Sequence, residues 1–594
     1  GNHTIGLTAD GFAWGWGRNN YGQVGNATTT DSSDPIEVIL LTFAEKVIPP
    51  VLSEFSGQYL NTFEVEAFAD TPGAELRYTL DGSLPTETDE LWPSSGNLEI
   101  ETSSFLRVRA FASGMLPSET RSATYRMGST VSAGSWHSAA LDGEGQVWTW
   151  GNNEYGQLGD GSTVDKWFPQ VVSELDPAIQ ISAGYDSTYA LLADGTVKAW
   201  GRNQYGRLGD GSTTDRSTPV TVAGLTSIHQ VVGGFDHALA LDEDGSVWSW
   251  GRSNSGQLGH GNTDTEFSPV KIEVFDNVAR VAAGYRFSGA IKEDGTVWTW
   301  GASNYGKLGI GGGGNVSTPT QVGGVYDVVE LSLGHHHSLA LRGDGTVWSW
   351  GRNNTGQLGD GSTFDRNAPV QVSGLSNIMW VDAGNDHSLA LDQNGTLWAW
   401  GNNSHGRLGD GTTSNSNVPV EVEESTWNGH AIHTMAGGGQ HSLGIIEYMG
   451  APVFFSWGRN NYGQLGLGKG SLATSSNPIM ISIAIDSDND GLFDYEEFLY
   501  GFDPLNPDTT GTGLGDSLIL SLGLDPNNDD WNGNGVSNAN EIARGTNPFP
   551  SVTLPGYDPT FPLYPTLSDL GEPDPGDTDP PFILLQKPPE AILQ

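Results

Sequence analysis

A unit of fifty residues recurs along this chain and leaves few folds open to it. Gly134, Gly184, Gly234, Gly284, Gly334 and Gly384 stand at that interval. In the clearest copy, 231–280, Asp244-Gly245 separates one alternating apolar run from another containing Val247, Trp248 and Trp250. That pattern predicts a β-hairpin with a type I′ turn, because glycine accepts positive φ. Gly251 ends the second strand, the GQLGHG segment turns the chain again, and Pro269-Val270 opens another extended stretch. Each unit is thus an antiparallel sheet of about four strands. The Trp-Gly strand end recurs at Trp150, Trp200, Trp250, Trp300, Trp350 and Trp400, and in a stretched seventh copy at Trp457. A further copy spans 3–38, with Asp10-Gly11 and Trp16-Gly17. Strand-only repeats of this length build solenoids or propellers, and radial closure, which protects sheet edges, favours a propeller.

The units spell a specific consensus: His337-Ser-x-Ala-Leu341, Asp344-Gly-x-Val-Trp-x-Trp-Gly351, Asn353-x-x-Gly-Gln-Leu-Gly-Asp-Gly361 and Pro369-Val370. These residues resemble the regulator of chromosome condensation repeat family over 1–40 and 131–485. The resemblance implies an all-β, seven-bladed β-propeller. Residues 131–485 supply seven copies by themselves, so the first copy is either an eighth blade or part of a blade shared across the ring closure. That copy lacks the V-x-x-V-S-A-G strand that opens the others. The family's nucleotide-exchange activity on small GTPases depends on face loops that have no recognisable counterpart here. A β-lactamase inhibitor protein that resembles the family implies another use, a propeller face holding a protein.

Charge narrows the partners. The 594 residues carry 71 Asp and Glu against 26 Lys and Arg, a formal net charge of −45. Binding nucleic acid needs a basic surface that displaces counterions, so the balance argues against it. There is no cysteine, hence no disulfide or thiol chemistry, which fits an exported bacterial protein, extracellular or at the cell surface. No apolar run reaches the roughly 18–20 residues of a membrane span. The chain begins inside a repeat without a signal peptide, which suggests a processed or truncated N-terminus.

The order of segments is a first propeller repeat (1–45), an insert (46–128), the main repeats (129–485), a loop-repeat stalk (486–548) and a Pro/Asp-rich tail (549–594). In the insert FEVEAF and SFLRVRAFA alternate, and Asp81-Gly82 marks a turn, which reads as a β-sandwich. Tyr78 to Ser83, Pro85-Thr86 and Leu106 to Ala110 resemble the chitobiase C-terminal-type module, similar to a fibronectin type III sandwich. Such modules accompany carbohydrate-active proteins, usually as spacers.

The recurring side chains read as structure. The paired tryptophans share one strand face and pack between blades. His137, His237, His337, His387 and His441 recur at one repeat position, which points to the same hydrogen-bonding duty in each inner strand. In His335-His336-His337, alternation along a strand keeps the three rings from sharing one ion. The G-D-G-S-T aspartates Asp160, Asp210 and Asp360 read as turn chemistry.

The sharpest chemical signal follows the last repeat. Asp486, Asp488, Asp490, Gly491 and Glu497 fit the twelve-residue D-x-D-x-D-G-x5-E calcium loop. Ligands at positions 1, 3 and 5 converge as the chain curls. Gly491 allows the sharp turn, Leu492 offers its carbonyl, Asp494 sits at position 9, and Glu497 closes the shell at 12. A second loop has Asp530, Asn532, Asn534, the Val536 carbonyl, Asn538 and Glu541, with fewer charges and so weaker expected Ca2+ binding. Between them, 508–519 keeps the turn but places Ile519 at position 12, as in a degenerate copy. The segment resembles thrombospondin type 3 and dockerin-like calcium repeats of bacterial surface proteins, which implies a structural role for the ion.

No His, Ser or metal pairs with a carboxylate outside these patterns, so the sequence offers no catalytic constellation. The expectation is an extracellular, calcium-stabilised structural or adhesive protein. In its sharpest form, Phe582-Ile583-Leu584-Leu585 is a strand donated to the incomplete first repeat of a neighbour, giving a head-to-tail filament. The alternative is a secreted propeller that binds a protein or glycan.

Overall fold

The computed structural model describes residues 3–7, 13–21, 28–37, 46–512 (apart from 55, 424–426, 428 and 470), 514–521, 524, 528, 531 and 537–540. The chain divides into two compact units, Gly1–Thr509 and Thr510–Gln594.

In the first unit seven four-stranded antiparallel sheets follow one another, each with its strands in sequence order. We number them as blades 1 to 7: 130–171, 178–221, 228–271, 278–321, 328–371, 378–421 and 432–481. Blade 7 closes directly onto blade 1. The Gly439 amide donates to Gly134 O at 2.9 Å, and the Trp150 indole N–H donates to Gln464 O at 2.9 Å. The propeller is therefore seven-bladed. The first repeat forms a separate three-stranded sheet of His3–Leu7, Ala13–Gly17 and Ser32–Glu37, and is not a blade of this ring. Its hairpin tip, Asp10-Gly11, lies outside the described residues.

The hairpin tips differ from the expected type I′ turn. In blade 3 the Gly245 amide closes on Asp242 O at 3.0 Å, and the Asp242 amide pairs with Ser246 O at 3.1 Å. Three residues thus form the loop, and Gly245 alone among them has positive φ, 74°. A type I′ turn would force Asp244 left-handed as well, and the three-residue loop with a glycine bulge avoids that cost.

Each blade's first strand lines the central channel and would expose an unpaired edge. Side chains of the preceding blade stitch it. Gln180 Oε1 accepts the Val231 amide at 2.9 Å, Gln230 Oε1 accepts that of Val281 at 2.9 Å, and Asp382 Oδ2 accepts that of Gly437 at 2.7 Å. Buried backbone donors are thereby satisfied across these joints without fusing the sheets.

The tryptophans of each W-x-W pair have different duties. The second is fully buried in every blade, with Trp250, Trp300 and Trp350 at 0% exposure. Except at Trp200, its indole N–H crosses to the blade before, as in Trp300 to Gln257 O at 2.9 Å. The first is partly open in blades 3 to 6, where it bonds its own hairpin: Trp248 donates to Asp242 Oδ2 at 3.0 Å.

The insert is a β-sandwich of a five-stranded and a three-stranded sheet. Val65, Leu98, Ile100, Leu106, Val108 and Tyr125 form its core.

Past blade 7 a short helix α1 (Asp494–Tyr500) ends on Gly501, which adopts φ 80° and donates to Glu497 O at 2.7 Å. Phe498 of α1 packs edge-on to Tyr448 at 5.1 Å and Phe455 at 6.3 Å, so the helix is docked on blade 7. In the second unit, helix α2 (Asp516–Ser521) buries Asp516 and Ile519.

Candidate functional site

The acidic loop ahead of α1 is the first candidate. Carboxylate oxygens of Asp486, Asp488 and Asp490 lie within 4.8 Å of one another. Gly491, with φ 93°, makes the turn that brings them together, and its amide donates to Asp486 Oδ2 at 3.1 Å. Asp486 Oδ1 is buried without a hydrogen-bond partner. Glu497, on the first turns of α1, is fully buried. Three clustered anions suit a hard divalent cation bound through oxygen, with the buried Glu497 outside that cluster.

Asp494 is used differently from a simple ligand. Its Oδ1 accepts the Ser487 amide at 2.9 Å and its Oδ2 accepts the Ser487 hydroxyl at 2.8 Å. Burial pushes its carboxyl up to about 6, against the pull of those two bonds. The second loop repeats this closure. Asn538 Oδ1 accepts the Trp531 amide at 2.8 Å, also from position 9 to position 2. Position 9 therefore pins the start of each loop. Asp530, Asn532, Asn534, Val536 and Glu541 lie outside the described residues.

The second candidate is the ring's channel, about 1030 Å³ in volume. The insert covers one mouth, the one rimmed by the hairpin tips. Arg121 pairs with Glu293 at 3.2 Å, Arg107 with Asp327 at 3.6 Å, and Arg126 with Glu330. The His433 Nε2–H donates to Met127 O at 2.5 Å, and the Arg280 guanidinium reaches Thr124 Oγ1 at 3.1 Å. Burial lowers the Arg280 pKa, with Glu330 opposing, and burial raises that of Asp382 despite its bonds to the Gly437 amide and Ser332 hydroxyl. A charged cluster this deep fixes the insert in one orientation, since removing one partner strands a buried charge. Arrangement of general acid, base and nucleophile around a reacting centre is not seen here among the described residues.

The repeating histidines are joint latches, as their periodicity implied. His237 Nε2 meets Ser288 Oγ of the next blade at 2.8 Å, and that hydroxyl donates to Gln257 O at 2.7 Å. The hydroxyl proton is thus spent, so Nε2 carries the ring's hydrogen and Nδ1 is left bare. The same relay joins His137 to Thr188, His337 to Ser388, His387 to Ser442 and His441 to Ser138. All five Nδ1 atoms are buried without a hydrogen-bond partner. Burial therefore pushes His137 and His337 down to about 4 and His237 and His441 to about 3.

His335 and His336 differ from expectation. Only His337 belongs to a strand, His337–Arg342; the other two occupy the bend before it, where strand alternation does not apply. Their rings stack at 4.2 Å at the channel's second mouth. The cations gathered at that mouth had no motif to announce them.

Comparison with known proteins fits this geometry. The RCC1-like domain family matches residues 95–288, and the regulator of chromosome condensation (RCC1) repeat family matches 10–58, 294–341, 344–391, 394–445 and 454–485. The chitobiase/beta-hexosaminidase C-terminal domain family matches 55–122, within the insert. The E3 ubiquitin-protein ligase HERC2 of Mus musculus is 32% identical over 201 residues, covering 30% of this chain and 4% of HERC2. The ultraviolet-B receptor UVR8 of Arabidopsis thaliana is 34% identical over 167 residues, covering 28% of this chain and 31% of the receptor. The chain thus spans less than a third of either relative's length. Among solved structures, Prp20p from Saccharomyces cerevisiae shares 26% identity over 53% of this chain and 81% of its own, with a TM-score of 0.49. Human WBSCR16 shares 22% over 63% and 100%, with a TM-score of 0.49.

Proposed function

We propose that this chain, whose ring belongs to the regulator of chromosome condensation repeat family, is a non-catalytic, calcium-braced protein that binds another protein on its propeller. The calcium part rests on one observation: three clustered aspartates stand in the loop that leads into α1, a helix that carries a buried glutamate and docks on blade 7. An ion there would cancel the repulsion of Asp486, Asp488 and Asp490 and fix α1 against the ring. Its role is structural, because a seven-residue helix is too short to open as a sensor does. The protein-binding part is supported by the family match and by the covered mouth, which leaves one face of the ring for a partner. High acidity, absence of cysteine and the calcium loops support an extracellular or cell-surface setting.

Calorimetric titration of the metal-stripped chain with Ca2+ tests the brace. The expected result is saturable binding that Glu497→Gln weakens by at least about tenfold, through loss of the position-12 charge. Saturation at 100 times the dissociation constant stabilises the site by about 2.7 kcal/mol, so proteolysis within 486–501 should slow measurably. Equal calorimetric traces for the two proteins, or no heat at all, would refute it.

Head-to-tail assembly is a second reading, favoured by one feature. Among the described residues, no strand pairs with the outer edge of His3–Leu7, whereas every blade has a strand in that place. The proposed donor, Phe582 to Leu585, lies outside the described residues. Negative-stain imaging of the chain with and without 580–594 decides it, since filaments that persist without the donor exclude strand donation.

A further inference from the structure

We propose that the uncovered mouth of the propeller docks an extended acidic segment of another protein. The proposal rests on the protein-binding reading above and adds the chemistry of the partner.

The mouth is built by the bends between the first and second strands. Rings from four successive blades touch there. Tyr185 meets Phe235 at 4.2 Å, Phe235 meets Tyr285 at 4.3 Å, and Tyr285 meets His335 at 4.0 Å. Outside this crescent stands a ring of stacked guanidinium groups. Arg202 lies over Tyr155 at 4.6 Å, Arg252 over Tyr205 at 4.5 Å, Arg352 over Tyr305 at 5.0 Å and Arg459 over Trp136 at 5.1 Å. In each pair the two residues come from adjacent blades. Stacking holds each planar fork in place before any partner arrives, so less entropy is lost when it binds a carboxylate.

Three of the eleven non-glycine residues with positive φ among the described residues lie here, Tyr205, Tyr305 and Arg286, at φ of 71°, 62° and 58°.

Charge selects the occupant. The chain has 26 basic residues against 71 acidic ones. Eight of the 26 surround this mouth, in the loops after the third strands and in the bends. Asp186 and Asp236 offset Arg202, Arg207, Arg252 and Arg286, Asp386 acts on Arg407, and Glu154 stands beside Tyr155, so eight cations face four carboxylates. No ion pair among the described residues engages Lys307, Arg352, Arg407 or Arg459. Lys307 is buried beneath the crescent, with its ammonium on Tyr285 O at 2.6 Å, and burial together with Arg286 pushes it down to about 7. Such a surplus in an otherwise acidic protein suits carboxylates, and the chain's overall charge repels a long polyanion such as nucleic acid. The aromatic faces between the forks add the Tyr, Trp and Arg chemistry that dominates protein interfaces.

The test is fluorescence anisotropy of the full chain with a labelled fifteen-residue poly-glutamate peptide. Binding should weaken by about tenfold or more when salt is raised from low to physiological strength. Arg352→Glu with Arg459→Glu should cost a further factor of about ten or more, because two forks without an ion-pair partner become repulsive carboxylates. Lys198→Glu with Lys271→Glu, on the blade sides, carries the same charge change and should leave affinity within about twofold. Equal losses in the two double variants, or no binding at low salt, would overturn the proposal while leaving the ring's protein-binding role open. A heparin fragment that binds this mouth and is not displaced by the peptide would overturn both. A concentration-dependent dimer abolished by the Arg352/Arg459 variant would assign the mouth to a second copy and also overturn the proposal.

Discussion

Acid should unlatch the ring at its histidine joints. His137 and His337 have folded pKa values of about 4, and His237 and His441 of about 3, against 6.5 for an ordinary histidine. A depressed histidine pKa means the folded state refuses a proton that the unfolded chain accepts. Its stability is complete above pH 6.5 and drains away as pH falls toward the folded value. At pH 5 each such histidine has lost about 2 kcal/mol, since about 1.5 pH units separate it from the unfolded pKa at about 1.36 kcal/mol each. Four together amount to about 8 kcal/mol, comparable with the entire stability of a typical domain. Asp186, Asp327 and Asp382 have raised pKa values, mainly from burial, and act in the opposite sense. The net loss is therefore smaller than that sum. Urea unfolding followed by the fluorescence of the 20 tryptophans, from pH 8 to pH 5, reads it directly. His441→Gln keeps a donor toward Ser138 and removes the titration. It should be less stable than the parent at pH 8, and the gap should narrow by about 2 kcal/mol by pH 5. A gap that stays constant over that range would refute the latch, because a merely packed ring has no proton to refuse.

Two further substitutions separate structural duties along the blades. Trp300→Phe removes an indole bond to Gln257 O and leaves a gap in a fully buried site, and should cost about 2–3 kcal/mol in urea unfolding. Trp298→Phe, on the half-exposed first position, should cost less than about 1 kcal/mol. Gly209 has φ 70°, and a Cβ there would sit 2.8 Å from Trp250 Nε1, so Gly209→Ala should cost more than about 3 kcal/mol and reduce soluble yield.

The sequence announced whatever repeats. The seven main copies, the sandwich insert, the histidine latches and the acidic loop were legible because each rests on spacing or alternation, whereas the exclusion of the first repeat from the ring was not, since only the direct closure of blade 7 on blade 1 decides it. Turn type was not, since Asp244-Gly245 is compatible with both a two-residue and a three-residue loop, and only the pairing of Asp242 with Ser246 decides. Asp494 held a ligand position by spacing, yet its oxygens close the loop onto Ser487, a choice made by the helix start beside it. The covered mouth was hidden for a different reason. Arg107, Arg121 and Arg126 face partners some 170 to 220 residues away, and no local pattern joins them. A usable signal for the other mouth did exist. The position after each repeating glycine holds Ser135, Tyr185, Phe235, Tyr285, His335, Asn385 and Gly439, varied where the scaffold around it is constant.

That variation follows joint by joint, and the joints explain one another. Where the latch histidine is absent, at Ser187 and Phe287, the blade carries Arg207 or Lys307 at the position that is glutamine in blades 1, 3, 5 and 7. Those two joints also hold the strained stacks, Tyr205 under Arg252 and Tyr305 under Arg352. A buried cation beside a titratable imidazole penalises its protonation further, as Arg407 adds to the burial that holds the His387 pKa well below the ordinary value. Replacing the histidine at Ser187 and Phe287 leaves His237 as the latch these two cations act on, and both add to the burial that lowers its pKa. In blade 2 the lost latch is made good by Tyr189, whose hydroxyl donates to Arg207 O at 2.7 Å alongside the Trp250 indole at 2.8 Å. Two of the four guanidinium stacks thus sit on joints without a proton-sensitive latch. The proposed docking surface should accordingly outlast the weakening of the remaining joints as pH falls, until the ring itself opens.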